Sequence, residues 1–179
     1  MTGVIIQVIT LILFLFFFEF FLVQAYNMIF RGYAPFLATK SVALRRLLGE
    51  LKIKKDAKIY ELGAGRAGFL RMLRKQYPEM KLIGVEYSFF PWLIGKLQSA
   101  ITNSRIALLR KNIFKIDLKD ADFVYCYLNV NTMNKLEEKL GHEMRANTQV
   151  VSYQFPLPSK EAEKVINLGE EGKIFFYRY

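Results

Sequence analysis

One cysteine, Cys126, leaves the chain without an internal disulfide or a CxxC metal site. Prolines number only five among 179 residues, and no low-complexity linker or internal repeat interrupts the chain. The composition, 53% apolar, excludes a disordered chain, a collagen and a disulfide scaffold. Acidic residues are few: 16 face 26 basic ones, for a net charge of +10. A chain this basic ordinarily scores negative in mean hydropathy, yet the value is +0.15. The apolar residues are therefore concentrated somewhere, and residues 4–23 hold only Gln7, Thr10 and Glu19 outside the apolar set. The length allows one ordinary domain plus an appendage.

Those twenty residues, at about 1.5 Å each, span about 30 Å, the thickness of a hydrocarbon core. A signal peptide would show a positive first region and an apolar run of about 7–15 residues. Here no Lys or Arg precedes Arg31 and the run is longer, so residues 1–30 are expected to be an uncleaved transmembrane anchor. A basic flank follows: Arg31, Lys40, Arg45, Arg46, Lys52, Lys54, Lys55 and Lys58. The positive-inside rule places that side in the cytoplasm, or in an organelle's matrix, with the N-terminus outside. Glu19 falls near the inner end and is expected to be an interfacial carboxyl, protonated or snorkelling, rather than a proton site. From residue 31 onward 26 bases oppose 15 acids, a net +11. A tethered basic domain is drawn to an anionic membrane face. Charge alone gives little support for a nucleic-acid partner.

After a connector over residues 27–38, which contains Gly32 and Pro35, apolar residues recur at Val42, Leu44, Leu47, Leu48 and Leu51. That spacing predicts a helix over 39–51, with Thr39 or Ser41 as its cap. Strands and helices then alternate. Strands are predicted over 58–62, 81–87, 106–112, 123–128 and 148–155, and helices over 68–76, from 88 onward, and over 131–144. The run FVYCYL at 123–128 suits a central strand covered on both faces. Residues 164–168 and 173–179 flank Gly-Glu-Glu-Gly as a hairpin. The expected fold is α/β: a doubly wound, mostly parallel seven-stranded sheet with a C-terminal antiparallel hairpin. Its divisions are an anchor (1–30), a connector with first helix (31–57) and a binding domain (58–179). Ligands of such sheets bind at the carboxyl ends of the strands.

The first predicted strand runs into Gly63, Gly65 and Gly68, which fit GxGxxG. NAD, FAD and methyltransferase loops all share that pattern. Glu61, two residues before the first glycine, narrows it. A carboxylate at a strand tip needs a partner, and the ammonium of S-adenosylmethionine (SAM), directly or through water, supplies one. A pyrophosphate would be repelled. Glycines let the backbone approach the ligand where a Cβ would clash, and Ala64 lies within the same turn. Glu86 ends the second strand, 18 residues after Gly68, where an acidic residue accepts hydrogen bonds from ribose hydroxyls; Tyr87 follows it. The third strand ends at Asn112-Ile113-Phe114. Asn112 can bond an adenine and Ile113 or Phe114 can cover it, with plain core packing as the alternative.

Other candidates read as structural. Cys126 lies in mid-strand between two tyrosines with no cationic neighbour, so it is expected in the core rather than as a thiolate nucleophile. His142, the only histidine, sits near a helix end beside Glu143 and reads as surface. Phe89, Phe90 and Trp92 can line a substrate mouth or touch lipid, but helix packing is the expected role. Tyr125 and Tyr127 share one strand face, and Tyr127, nearer the carboxyl end, is the better acceptor-pocket candidate.

The stretch YELGAGRAG at 60–68, followed by GVEYS at 84–88, resembles motif I and the following acidic strand of class I SAM-dependent methyltransferases. More closely, nearly the whole chain resembles the membrane-anchored lysine methyltransferases that modify mitochondrial inner-membrane proteins, together with their prokaryotic relatives. Those have one N-terminal transmembrane helix, a segment like PFVPT (here Pro-Phe-Leu-Ala-Thr at 35–39), a stretch like Asn112 to Leu118, and a helix like MNKLEEKL at 133–140. Three departures stand out. Ala38 replaces a proline, and Ala67 replaces a third alternate glycine. The sequence Tyr127-Leu128-Asn129-Val130 replaces the (D/N)PP(Y/F) box of amino-methylating DNA enzymes, which argues against amino methylation of adenine or cytosine.

The resemblance implies SAM as cofactor, with Thr39, Glu61, Gly63, Ala64, Gly65, Gly68, Glu86, Tyr87, Asn112, Ile113 and Phe114 around it and Tyr127 and Asn129 toward the substrate. Thr39 and Asn129 rest on resemblance alone. No metal and no catalytic base is implied. The expected acceptor is a lysine of a membrane protein, or alternatively a lipid, quinone or other small molecule at the bilayer, which a large apolar pocket would favour. An NAD-linked oxidoreductase is opposed by Glu61 and the hairpin. A non-enzymatic anchored module is opposed by intact Glu61, Gly63, Gly65 and Glu86. With 149 residues from 31 onward there is little room for a substrate domain. Recognition then falls to residues 39–51, the loop after Leu128 and the anchor.

Overall fold

The computed structural model describes residues 2–31 and 39–179. Residues 32–38, with Gly32, Pro35 and the first four residues of the PFLAT segment, lie outside the described residues. The chain divides into two compact units, Met1–Pro35 and Phe36–Tyr179. The described residues of the first form one helix, α1 (Thr2–Arg31). Its stretch Thr2–Val23 is long and apolar enough to cross a membrane, and none of it is buried by protein. A polar side chain in such a stretch needs an internal partner, and the Thr10 hydroxyl donates to the Ile6 carbonyl at 2.9 Å.

The second unit is an α/β domain. Its elements are α2 (Ser41–Glu50), β1 (Lys58–Leu62), α3 (Gly68–Gln76), β2 (Lys81–Glu86), α4 (Phe89–Ile101), β3 (Ala107–Arg110), β4 (Phe123–Cys126), α5 (Val130–Glu143), β5 (Gln149–Tyr153), β6 (Lys164–Asn167) and β7 (Lys173–Arg178). The strand order is β3-β2-β1-β4-β5-β7-β6. The first five strands are parallel, and β7 runs antiparallel to both β5 and β6. The order reverses between β1 and β4, so their carboxyl ends form the crevice where such sheets bind ligands.

Alternation along the strands assigns the two faces. Ile59, Phe123, Tyr125 and Val151 pack with Leu44 and Leu47 of α2, Phe69 and Leu73 of α3, and Trp92 of α4. Tyr60, Leu62, Val124, Cys126 and Val150 pack on the other side with Met133, Leu136 and Leu140 of α5. Each fully buried Leu or Phe contributes about 1.5–3 kcal/mol relative to exposure.

Three local expectations change, and one feature is added. The helix α2 starts at Ser41 with Lys40 as N-cap and no side-chain cap; the Thr39 hydroxyl is instead 2.8 Å from that of Tyr125. Val42 is exposed, because α2 turns Ala43, Leu44, Leu47 and Leu48 inward. Strands β3 and β4 are shorter than the apolar runs that announced them. After β3 there is only a 3-10 turn, Ile113–Lys115, and residues 154–163 carry no helix, so the α5 face is more thinly covered.

Candidate active site

The chain leaves β1 through a turn pinned to its neighbour: the N–H groups of Gly63 and Ala64 both donate to the Val85 carbonyl, at 2.9 and 3.0 Å. Gly63 and Gly65 have φ of +70° and +52°, a region glycine enters without penalty. A Cβ at Gly63 would also lie 2.7 Å from Leu128 Cδ2. Ala67, at the N-cap of α3, is left-handed too (φ 55°); a residue with a Cβ bears a strain of about 1–2 kcal/mol there. From the far side α4 closes on the turn. A Cβ at Gly95 would be 2.9 Å from the Gly65 carbonyl oxygen and 2.7 Å from Leu108 Cδ2.

Two buried carboxylates flank the turn. Glu86 accepts the Gly65 N–H through Oε2 at 2.9 Å and the Ser88 N–H through Oε1 at 2.7 Å. Ionised, it offers about four acceptor positions, so capacity remains for a ligand's hydroxyls. Glu61 stands differently. It is 6% exposed, and its Oε2 reaches the Leu70 N–H at the start of α3 only at 3.4 Å. Burial pushes its carboxyl up to about 8, the N–H groups of Leu70 and Phe69 and the Arg71 guanidinium offset little of this, and Glu86 adds to it. A carboxylate buried this far, offset only in small part by backbone N–H groups and the Arg71 charge, is unbalanced, and a ligand's cation would balance it. The donor set therefore fits a ligand carrying an ammonium and vicinal hydroxyls, as SAM does.

Beside Glu61 in the β1–β4 register lies Tyr125. It is fully buried, its ring centroid is 4.4 Å from that of Phe69, and its hydroxyl meets Thr39. Burial holds its phenol well above the ordinary value. Sequence reasoning singled out Tyr127 rather than Tyr125. The alternation of the strand carried a hint, since the two share a face, but the pairing with Glu61 needs the register. Tyr127 lies farther along, half-buried, with its ring 4.8 Å from Tyr153 and 6.5 Å from Phe155. The Tyr153 hydroxyl donates to the Glu171 carbonyl, and the Glu171 carboxylate pairs with Lys40 at 3.0 Å. The C-terminal hairpin and the start of α2 are thereby joined at this end of the sheet.

The remaining predicted residues divide. Asn112 lies next to the site, since the Lys111 N–H after β3 donates to the Glu86 carbonyl. Its Oδ1 accepts the Phe114 N–H at 2.9 Å, starting the 3-10 turn. Ile113 is buried in the α5-side core, while Phe114 is exposed. Ala64 is buried and Tyr87 exposed. Gly68 opens α3 with open space where a Cβ would stand, so no close approach requires glycine there. Asn129 caps α5, accepting the Thr132 N–H at 2.9 Å. Cys126 is core: fully buried, against Met133, with burial pushing its thiol up to about 12. His142 is exposed. Phe89 is exposed as well, whereas Trp92 packs inward and donates to the Leu108 carbonyl. Among the described residues no three His, Cys, Asp or Glu side chains gather as a metal site.

Known proteins resemble this chain in sequence and in fold. A protein-lysine N-methyltransferase of Saccharolobus islandicus (strain REY15A) is 26% identical over 149 residues, 79% of this chain and 89% of that protein. The adenine nucleotide translocase lysine N-methyltransferase of Mus musculus is 26% identical over 141 residues, 76% of this chain and 60% of the mouse protein. Among solved structures, an RNA methyltransferase from Salinibacter ruber in complex with S-adenosyl-L-homocysteine shares the fold, with a TM-score of 0.74 and 17% identity over 79% of this chain and 93% of that one. Residues 61–164, more than half of the sequence, match the ANTKMT methyltransferase domain, and the chain belongs to that family.

Proposed function

We propose that the chain is a membrane-anchored, SAM-dependent methyltransferase that methylates a lysine amine of a membrane protein. The observation that carries this reading is the pair of buried carboxylates across a positive-φ glycine turn, with Glu61 short of a counter-charge. Glu61 would face the cofactor's ammonium, Glu86 its ribose hydroxyls and Gly63–Gly65 the close backbone approach, with Asn112, Ile113 and Phe114 beside the adenine. The lysine acceptor is supported by the relatives, both lysine N-methyltransferases, one of them named for adenine nucleotide translocase. The apolar helix and the basic residues after it support an anchor with the N-terminus outside and the domain on the cytoplasmic or matrix side.

SAM supplies an electrophilic methyl group and a neutral leaving thioether. The protein's share is alignment and water exclusion. The Gly63–Gly65 turn, held by Val85 and pressed by Gly95, sets the donor's position. Tyr127, Tyr153 and Phe155 form an apolar wall at the carboxyl ends of β4 and β5. An amine entering beside such rings is desolvated, and desolvation favours its neutral, nucleophilic form. Its proton leaves to water, and no side chain is assigned as base.

The test is radiochemical. The full chain is incubated with methyl-tritiated SAM and host membranes, and the membranes are hydrolysed. Label should appear as Nε-methylated lysine and vanish with Glu86→Ala. Label confined to the lipid extract would contradict the lysine assignment.

A further inference from the structure

The outward face of α4 is apolar. At 100° per residue, Phe90, Ile94, Leu97 and Ile101 fall within roughly 60° of one another. Ile94 is 42% exposed, Leu97 56% and Ile101 84%. The opposite face, with Pro91, Gly95 and Ser99, is the buried one. Lys96 is the only charge in the helix. An uncovered stripe of large apolar side chains marks a surface that meets something other than water.

The charge around it indicates what that is. From Tyr87 to Ile116, the segment forming α4 and the sheet-edge strand β3, there is no Asp or Glu, and Lys96, Arg105, Arg110, Lys111 and Lys115 are all exposed. The Arg110 guanidinium lies over the ring of Phe89 at 5.1 Å, where the helix begins. Apolar side chains on a segment whose own charges are all cationic match an anionic lipid interface, where the first enter the acyl boundary and the second meet phosphates. A second copy is a poor occupant, since a two-fold contact would set five cations against the same five.

We infer that α4 is a bilayer-docking helix, seated with the β3 edge against anionic lipid independently of any insertion of α1. That a bilayer lies within reach rests on reading residues 2–23 as a membrane span. Because α4 starts three residues after Glu86, docking would hold the rim of the candidate cofactor site at the lipid surface, where a lysine of a membrane protein emerges.

The test uses the full chain in nanodiscs of phosphatidylcholine, with and without phosphatidylglycerol. Nitroxides are attached one at a time at Leu97→Cys, Ile101→Cys, Lys135→Cys on exposed α5, and Phe14→Cys in the apolar helix. Cys126 is buried and stays unlabelled. Circular dichroism checks each fold. Labels at 97 and 101 should be several-fold more accessible to oxygen than to a water-soluble nickel complex, and the label at 135 the reverse. That preference should be lost without phosphatidylglycerol and with Lys96→Glu plus Lys115→Glu. Nickel-accessible labels at 97 and 101, beside a lipid-embedded label at 14, would overturn docking and leave the anchor standing. Labels at 97 and 101 closed to both reagents, with dipolar broadening between copies, would overturn it in favour of a protein interface. Lipid-facing labels at 97 and 101 with a water-exposed label at 14 would uphold docking and remove the anchor.

Discussion

Glu61 is the residue on which the account turns, because its environment makes a prediction in pH. A carboxyl raised by folding from about 4.5 to about 8 ionises in the unfolded chain long before it ionises in the fold. Its contribution to stability is therefore full below about pH 4.5, declines as pH rises toward 8, and falls no further above it. In the cofactor-free protein Glu61→Gln should raise Tm at pH 8 and leave it little changed at pH 4.5. A cationic ligand should draw the proton off: at pH 7, binding of S-adenosylhomocysteine should release close to one proton, read as a buffer-dependent enthalpy, and Glu61→Gln should abolish that dependence. Beside it, the Thr39–Tyr125 hydrogen bond joins residues 86 apart. Tyr125→Phe and Thr39→Val should each cost about 1 kcal/mol, with a coupling of about 0.5–1.5 kcal/mol in a double-mutant cycle. Glu61 and Glu86 were legible in the sequence because their spacing from the glycines is local. The Thr39–Tyr125 pair was not, since no local pattern encodes a contact across the α2–β4 interface, and Thr39 looked like a helix cap for the same reason.

At the scale of elements, α4 does two things with opposite faces. Its inner face sets Gly95 against the Gly65 carbonyl, so Gly95→Ala should push the helix off the glycine turn. A stability loss of about 1–3 kcal/mol is expected from overpacking, along with a loss of at least about tenfold in S-adenosylhomocysteine affinity, roughly 1.4 kcal/mol, measured by thermal melts and calorimetry. Every strand and helix of the domain was legible in apolar spacing, apolar runs and turn residues, but the ends were less so. The apolar pattern of β4 continues through Tyr127 and Leu128, yet the chain has already left the sheet there, and Leu128 covers the place a Gly63 Cβ would fill. Asn129 and Asn112 turned out to start a helix and a 3-10 turn through their side-chain oxygens, a use of asparagine as common as ligand binding.

At the scale of the molecule, the proposed function has a small domain compensate for its size with placement. From residue 31 onward the chain carries +11, the connections after β3 and β5 hold no α-helix among the described residues, and in the proposed function recognition falls to the edges of one sheet and to the membrane. All of this rests on SAM as the cofactor. The most direct measurement is calorimetric titration of the detergent-solubilised full chain with S-adenosylhomocysteine and, in parallel, with NAD. Micromolar binding of the former, lost in Glu86→Ala, is the predicted result. Binding of NAD with none of S-adenosylhomocysteine, in a protein that melts cooperatively, would contradict the account.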